Sequence, residues 1–255
     1  MQSSTARNLC EDLIIETRPL IPLEEEDTPG CYGKIPGTGD FIVRNLPQGF
    51  VKQWDRWLQE ALQGSRALLG EHWDQTYFTA PIWRFAIAPR VCDDDGWAGV
   101  LMPSVDKVGR AFPLTLATSL HSVPQLATAV FYSGHWFAQL EDIALAALAV
   151  DSDPGRLEQA LNDAPFPEFE RGLPVHATAP TAAQWVAQSQ DEPFLQLTHP
   201  DDFSKVLAVA ATETMLSAQG WHAYWWTRGR SEGRPAAVAL TGLPDARTFA
   251  SMLSV

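Results

Sequence analysis

The longest apolar stripe in the chain runs from Phe50 to Leu69. Phe50, Trp54, Trp57, Leu58, Ala61, Leu62, Leu68 and Leu69 recur at spacings of three and four, with Lys52, Gln53, Arg56, Gln59, Glu60 and Gln63 opposite. This predicts an amphipathic helix entered at Pro47, with Asn45 as a candidate cap, and stopped by Gly70. A short helix follows over residues 71–78. Before the stripe, 31–36 and 40–44 read as two short strands joined by a turn at Gly37-Thr38-Gly39. After it, 82–88 alternates in the manner of a strand, 97–102 is a second apolar run, and Phe112 opens a third. A turn at Asp93-Asp94-Asp95-Gly96 separates the first two. Pro124 begins one long apolar helix to about Val150, in which His135 is expected to be partly buried.

Residues 31–150 thus give the order β-β-α-β-β-β-α. The economical arrangement is an α+β layer, a five-stranded antiparallel sheet with helices against it. Asp151-Ser152-Asp153-Pro154-Gly155 is the expected boundary. Beyond it the pattern predicts a mainly helical region over 151–255. Helices are expected over 156–162, 182–189 and 203–219, with a Pro-rich loop through Pro165, Pro167 and Pro174. A hairpin of 222–227 and 236–241, turning over 228–233, precedes a closing helix from Pro244 that carries Phe249, Met252 and Leu253.

Composition narrows the function. Hydrophobic residues make up 45% of the chain and ten are tryptophan, enough for a substantial core. The net charge is −13, the opposite of a nucleic-acid or anionic-membrane footprint. Residues 1–30 hold seven acids against two bases and end near Glu24-Glu25-Glu26-Asp27, so they are expected to be an acidic, poorly ordered leader, with a docking arm as the alternative and Leu13-Ile14-Ile15 as a candidate short strand or anchor. Residues 31–120 are balanced, whereas 121–255 hold fifteen acids against seven bases. A partner docking by charge on that second half should be basic. Cys10, Cys31 and Cys92 form no metal or disulfide pattern and fit a reducing compartment. With neither a signal peptide nor a membrane-length apolar run, a cytoplasmic location is expected.

The densest polar segment lies between the second and third strands of the central trio, where Ser104, Asp106, Lys107 and Arg110 are bounded by Pro103 and Pro113. Ser104-x-x-Lys107 matches a serine–lysine spacing used by penicillin-binding enzymes, but that chemistry needs both residues on the first turn of a helix. Gly37-x-Gly39 lacks the further residues of a phosphate loop. The six histidines show no metal spacing, and Asp201-Asp202 reads as a helix cap. No catalytic residue, cofactor or metal is expected. The polar segment is either a salt-bridged loop, with Arg84 as a member, or a recognition surface. Asp40, Arg84, Ser104, Asp106, Lys107 and Arg110 are the candidate partner-binding residues. A hydrolase or transferase built on Ser104, Asp106 and Lys107 is the alternative.

Several segments together carry a family resemblance. They are Tyr32-Gly33-Lys34-Ile35-Pro36 with Gly39-Asp40-Phe41, Trp54-Asp55-x-Trp57-Leu58, Pro81-Ile82-Trp83-Arg84-Phe85, Gly99 through Leu114, and Trp225-Trp226-Thr227 with Gly242-Leu243-Pro244. In order and spacing the chain resembles the TagF/ImpM family of type VI secretion-associated proteins, tightly over 31–120 and more loosely over the last forty or so residues. The resemblance implies a longin-like first domain. It also implies a non-enzymatic, post-translational repressor of secretion assembly that binds a forkhead-associated scaffold protein. It supplies no catalytic residues. The acidic leader is not part of it.

Overall fold

The computed structural model describes residues 28–166, 208, 211–212, 214–217, 220–229 and 235–255. The acidic leader, the loop past Phe166, the helix expected over 182–189, the Asp201-Asp202 cap and most of the hairpin turn lie outside the described residues. Those described between 208 and 217 are helical, as expected for 203–219.

An antiparallel sheet organises the fold. Its strands are β1 (Gly30–Gly33), β2 (Ile42–Arg44), β3 (Trp83–Ile87), β4 (Gly96–Met102), β5 (Leu114–Leu120), β6 (Ala223–Thr227) and β7 (Ala236–Leu240), in the order β2-β1-β5-β4-β3-β6-β7. The α+β class and the antiparallel pairing agree with the expectation. Among the described residues the sheet has seven strands rather than five, because the late hairpin continues it. Arg84 through Ile87 pair with Trp226 through Ala223. The physical reason is that β3 is buried along its whole length, and a buried strand edge needs a hydrogen-bonding partner.

Side-chain alternation sends two apolar sets to opposite faces. Trp83, Phe85, Ile87, Trp97, Leu101 and Trp225 face α1 (Gln48–Leu69), α2 (Trp73–Phe78) and the closing helix α6 (Ala246–Ser254). Ala86, Ala98, Val100, Met102, Leu114 and Leu116 face α3 (Val123–Phe131), α4 (Gly134–Ala146) and α5 (Pro154–Asn162). The central strands β3 and β4 are therefore mostly apolar runs, and β5 is buried at every position but Ser119. The α1 stripe falls where its spacing predicts, with Phe50, Trp54, Trp57, Leu58, Ala61 and Leu62 buried, although Leu68 is exposed. Burying both tryptophans contributes several kcal/mol, about 2–3 each on the area scale.

Three local expectations are corrected. The helix expected from Pro124 to Val150 is two helices. The Thr128 carbonyl accepts from Tyr132 N, Ser133 N and Ser133 Oγ, which closes α3 before Gly134 starts α4. His135 is exposed, on the outer side of α4. Asn45 does not cap α1, which has no side-chain cap; Asn45 instead turns the chain at a φ of 52°, a conformation asparagine tolerates. Among the described residues no helix is long and apolar enough to cross a membrane.

Candidate functional site

The polar segment after β4 folds back on itself as a narrow extension of the sheet. Val105 bridges Ala111, Phe112 N donates to Ser104 O at 3.0 Å, and Asp106 N donates to Arg110 O at 3.2 Å. Gly109 makes the reversal at a φ of 84°, open to left-handed backbone because it has no Cβ. Pro113, which cannot donate to a ladder, delays β5 to Leu114 rather than the expected Phe112.

Asp106, 1% exposed, is the hub. Its Oδ1 accepts from Val108 N at 3.1 Å and Arg110 N at 2.9 Å. Its Oδ2 accepts from Lys34 Nζ at 3.0 Å and Arg110 Nε at 2.6 Å. Burial pushes this carboxyl up. The Arg110 N–H, the Lys34 ammonium, the Arg110 guanidinium and the Val108 N–H outweigh burial and hold it well below the usual carboxylate range. The group is therefore a fixed anion shared by two cations. Arg110 also donates from its second nitrogen to Gly39 O at 2.9 Å, and Lys107 N donates to Thr38 O at 2.8 Å, so the β1–β2 turn is fastened to the loop.

Ser104 is equally committed. Its Oγ donates to Lys34 O at 2.7 Å. The Tyr77 hydroxyl donates to Ser104 O at 2.9 Å and accepts from Ser104 N at 3.1 Å. Burial raises the Tyr77 phenol above its ordinary value, so it stays protonated in this role. What remains at the surface is the tip, Lys107-Val108-Gly109, with Val108 72% exposed, and beside it the outer part of the Arg110 side chain. Phe41 stands beside it at 44% exposure, stacked on Tyr32, edge-on to Phe112 and 5.0 Å from Lys34 Nζ.

Of the expected residues, Ser104, Asp106, Lys107 and Arg110 share this rim, and exposed Asp40 lies in the turn fastened to it. Arg84 does not join them. It lies on the opposite face, with Nε 2.6 Å from Glu141 Oε1 and its second nitrogen 3.0 Å from Oε2. Arg228 reaches the same Oε2 at 2.5 Å. Sequence reasoning missed Lys34 and Tyr77. Lys34 carries a signal, a lone base inside an apolar strand run; Tyr77 carries none.

Elsewhere, the Asp95, His121 and Ser119 side chains line up, with 3.2 Å from Asp95 Oδ1 to His121 Nδ1 and 3.3 Å from His121 Nε2 to Ser119 Oγ. The histidine and aspartate side chains are 38% and 49% exposed, so water surrounds the array rather than a substrate cavity. Among the described residues no three metal-ligating side chains converge. Cys31 and Cys92 are buried free thiols, each pushed up to about 12 chiefly by burial, and so unreactive at neutral pH.

Residues 30–164 match the TagF N-terminal domain, described as type VI secretion system-associated. The crystal structure of PA0076 from Pseudomonas aeruginosa PAO1 is similar with a TM-score of 0.69 and 32% identity, over 89% of this chain and 94% of that one. No curated protein sequence matches the chain. The matched span opens at the first residue of β1 and closes at Ala164, whose carbonyl takes the Trp136 indole N–H at 3.1 Å. It contains the entire rim and both helical layers up to α5. The chain therefore belongs to the TagF family of type VI secretion system-associated proteins.

Proposed function

We propose that this protein is a cytoplasmic, non-enzymatic repressor of type VI secretion assembly that acts after translation by binding a forkhead-associated scaffold protein. The observation that carries the proposal is the rim's division into frame and tip. Lys34, Ser104, Asp106 and Tyr77 are buried and bonded to one another, and they hold Lys107 and Val108 outward. A preorganised, exposed basic and apolar tip suits protein recognition, since little ordering remains to be done on binding. The non-enzymatic part of the proposal is supported by Ser104, a residue 3% exposed whose hydroxyl already donates to a main-chain carbonyl. The longin-like likeness of 31–150 belongs to the same proposal and is supported by the β-β-α-β-β-β-α order of β1–β5 with α1 and α3.

Pull-down and calorimetry with the forkhead-associated scaffold test it. Micromolar or tighter binding is expected, and Lys107→Glu should weaken it at least about tenfold without changing thermal stability, because the lysine side chain sits outside the frame. Absence of binding by the wild-type chain, or unaltered affinity in the variant, removes the proposal.

A further inference from the structure

We propose that the scaffold contributes an extended, acidic segment with apolar residues at alternate positions, and that this segment lies along the open edge of β2 beside the Lys107–Gly109 tip. The inference rests on the scaffold-binding proposal and names what that partner must present. Strand β2 ends the sheet, and among the described residues no strand pairs with its outer edge. An unpaired edge next to apolar side chains is a site that proteins cover or defend with charge. Pairing of an extended segment there uses main-chain hydrogen bonds for affinity and alternate side chains for fit.

The side chains beside the edge set the pattern. Val43 pairs with Tyr32 across the ladder, and the Phe41 ring stacks on the Tyr32 ring, so Phe41 and Val43 share the α1 side of the sheet. They are 44% and 40% exposed. Phe112, edge-on to Phe41, fixes that ring from the neighbouring reversal. The result is a shaped apolar ledge, already in place for every second side chain of an added strand. Ile42, between the two, is buried on the opposite face. Arg44 turns to that face as well, where its Nε lies 3.3 Å from Glu158.

Charge selects the occupant. Lys107 is exposed, and its side chain has no partner among the described residues. The Arg110 side chain is 63% exposed, whereas Asp106, which holds it, is buried. Both cations lie against the turn that leads into β2, through Lys107 N on Thr38 O and the Arg110 guanidinium on Gly39 O. Two further acids stand near the ledge. Asp40 is exposed in that turn, and Asp55 has its oxygens taken by the Tyr32 hydroxyl and the Gln59 amide. Against Asp40 the two exposed cations are in excess, and Lys107 is unspent. An acid on the incoming segment therefore gains a contact at Lys107, where a base is repelled.

Hydrogen exchange and calorimetry on the full chain, with the full-length forkhead-associated scaffold added, test the proposal. Binding should slow amide exchange within Phe41–Arg44 at least about tenfold, with β4 amides unchanged. Val43→Asp should weaken binding at least about tenfold more than Val43→Lys. The two variants lose the same exposed apolar side chain and differ in the sign of the charge that replaces it. Scaffold binding without protection of Phe41–Arg44, or equal losses in the two variants, overturns this proposal and leaves scaffold binding itself standing. No binding by the wild-type chain overturns both. Protection that appears without scaffold, as this chain is raised from about 5 to about 100 micromolar, assigns the edge to a second copy and also overturns the proposal.

Discussion

Asp106 gathers four hydrogen bonds from three residues and is nearly inaccessible, so its charge is a structural requirement. Its pKa is depressed in the folded state, so its contribution to stability is complete above its unfolded value of about 3.9 and is lost as pH falls through the lower folded value. Denaturation midpoints measured across pH should show wild type losing stability below about pH 4, whereas Asp106→Asn starts less stable at pH 7 and loses less on acidification. Two indoles give a second comparison. Trp54 Nε1 donates to buried Thr115 Oγ1 at 2.8 Å, while buried Trp225 Nε1 has no partner among the described residues. Urea unfolding should therefore find Trp54→Phe costlier than Trp225→Phe by about 1–3 kcal/mol, since only the first change strands a hydroxyl. The link between Asp106 and Arg110 was legible because four positions separate them across one tight reversal. The Lys34–Asp106 pair spans 72 positions and the Tyr77–Ser104 contacts 27, distances at which spacing carries no signal.

Between elements, the joint of β3 to α4 rests on Glu141. Its carboxylate takes both arms of Arg84 and one of Arg228, with the Arg84 and Glu141 side chains only 9% and 12% exposed. Arg84 also lies over the Phe137 ring at 5.5 Å. Glu141→Ala leaves a desolvated guanidinium uncompensated and should cost about 3–5 kcal/mol by chemical denaturation, with Arg84→Met in the same background recovering much of it. The sequence pattern placed α1 well because its stripe meets a uniformly apolar sheet face. It joined α3 to α4 because apolar spacing continues across Tyr132 and Ser133; the interruption comes from one overloaded carbonyl, a hydrogen-bond event that hydropathy does not register.

Over the whole molecule, the last residues complete the first core. Trp57 Nε1 donates to Pro244 O at 2.8 Å and Trp83 Nε1 to Met252 O at 3.0 Å. Phe249, 2% exposed, packs edge-on to Trp57. Phe249→Ala should cost about 3–5 kcal/mol in equilibrium unfolding, and tryptophan emission should shift with the same midpoint as far-UV circular dichroism because α1 and α6 share one cluster. The late hairpin was legible as a hairpin. Its place beside β3 was not, since Thr227 meets the Ile82 carbonyl across 145 positions and nothing local encodes that meeting. This pairing has a consequence for biosynthesis. While the ribosome is still adding residues after β5, the nascent chain exposes one whole side of β3 and the indole-rich flank of α1. Among the described residues, their cover comes from Ala223–Thr227 and the closing helix, so chaperone demand should fall once these have left the exit tunnel.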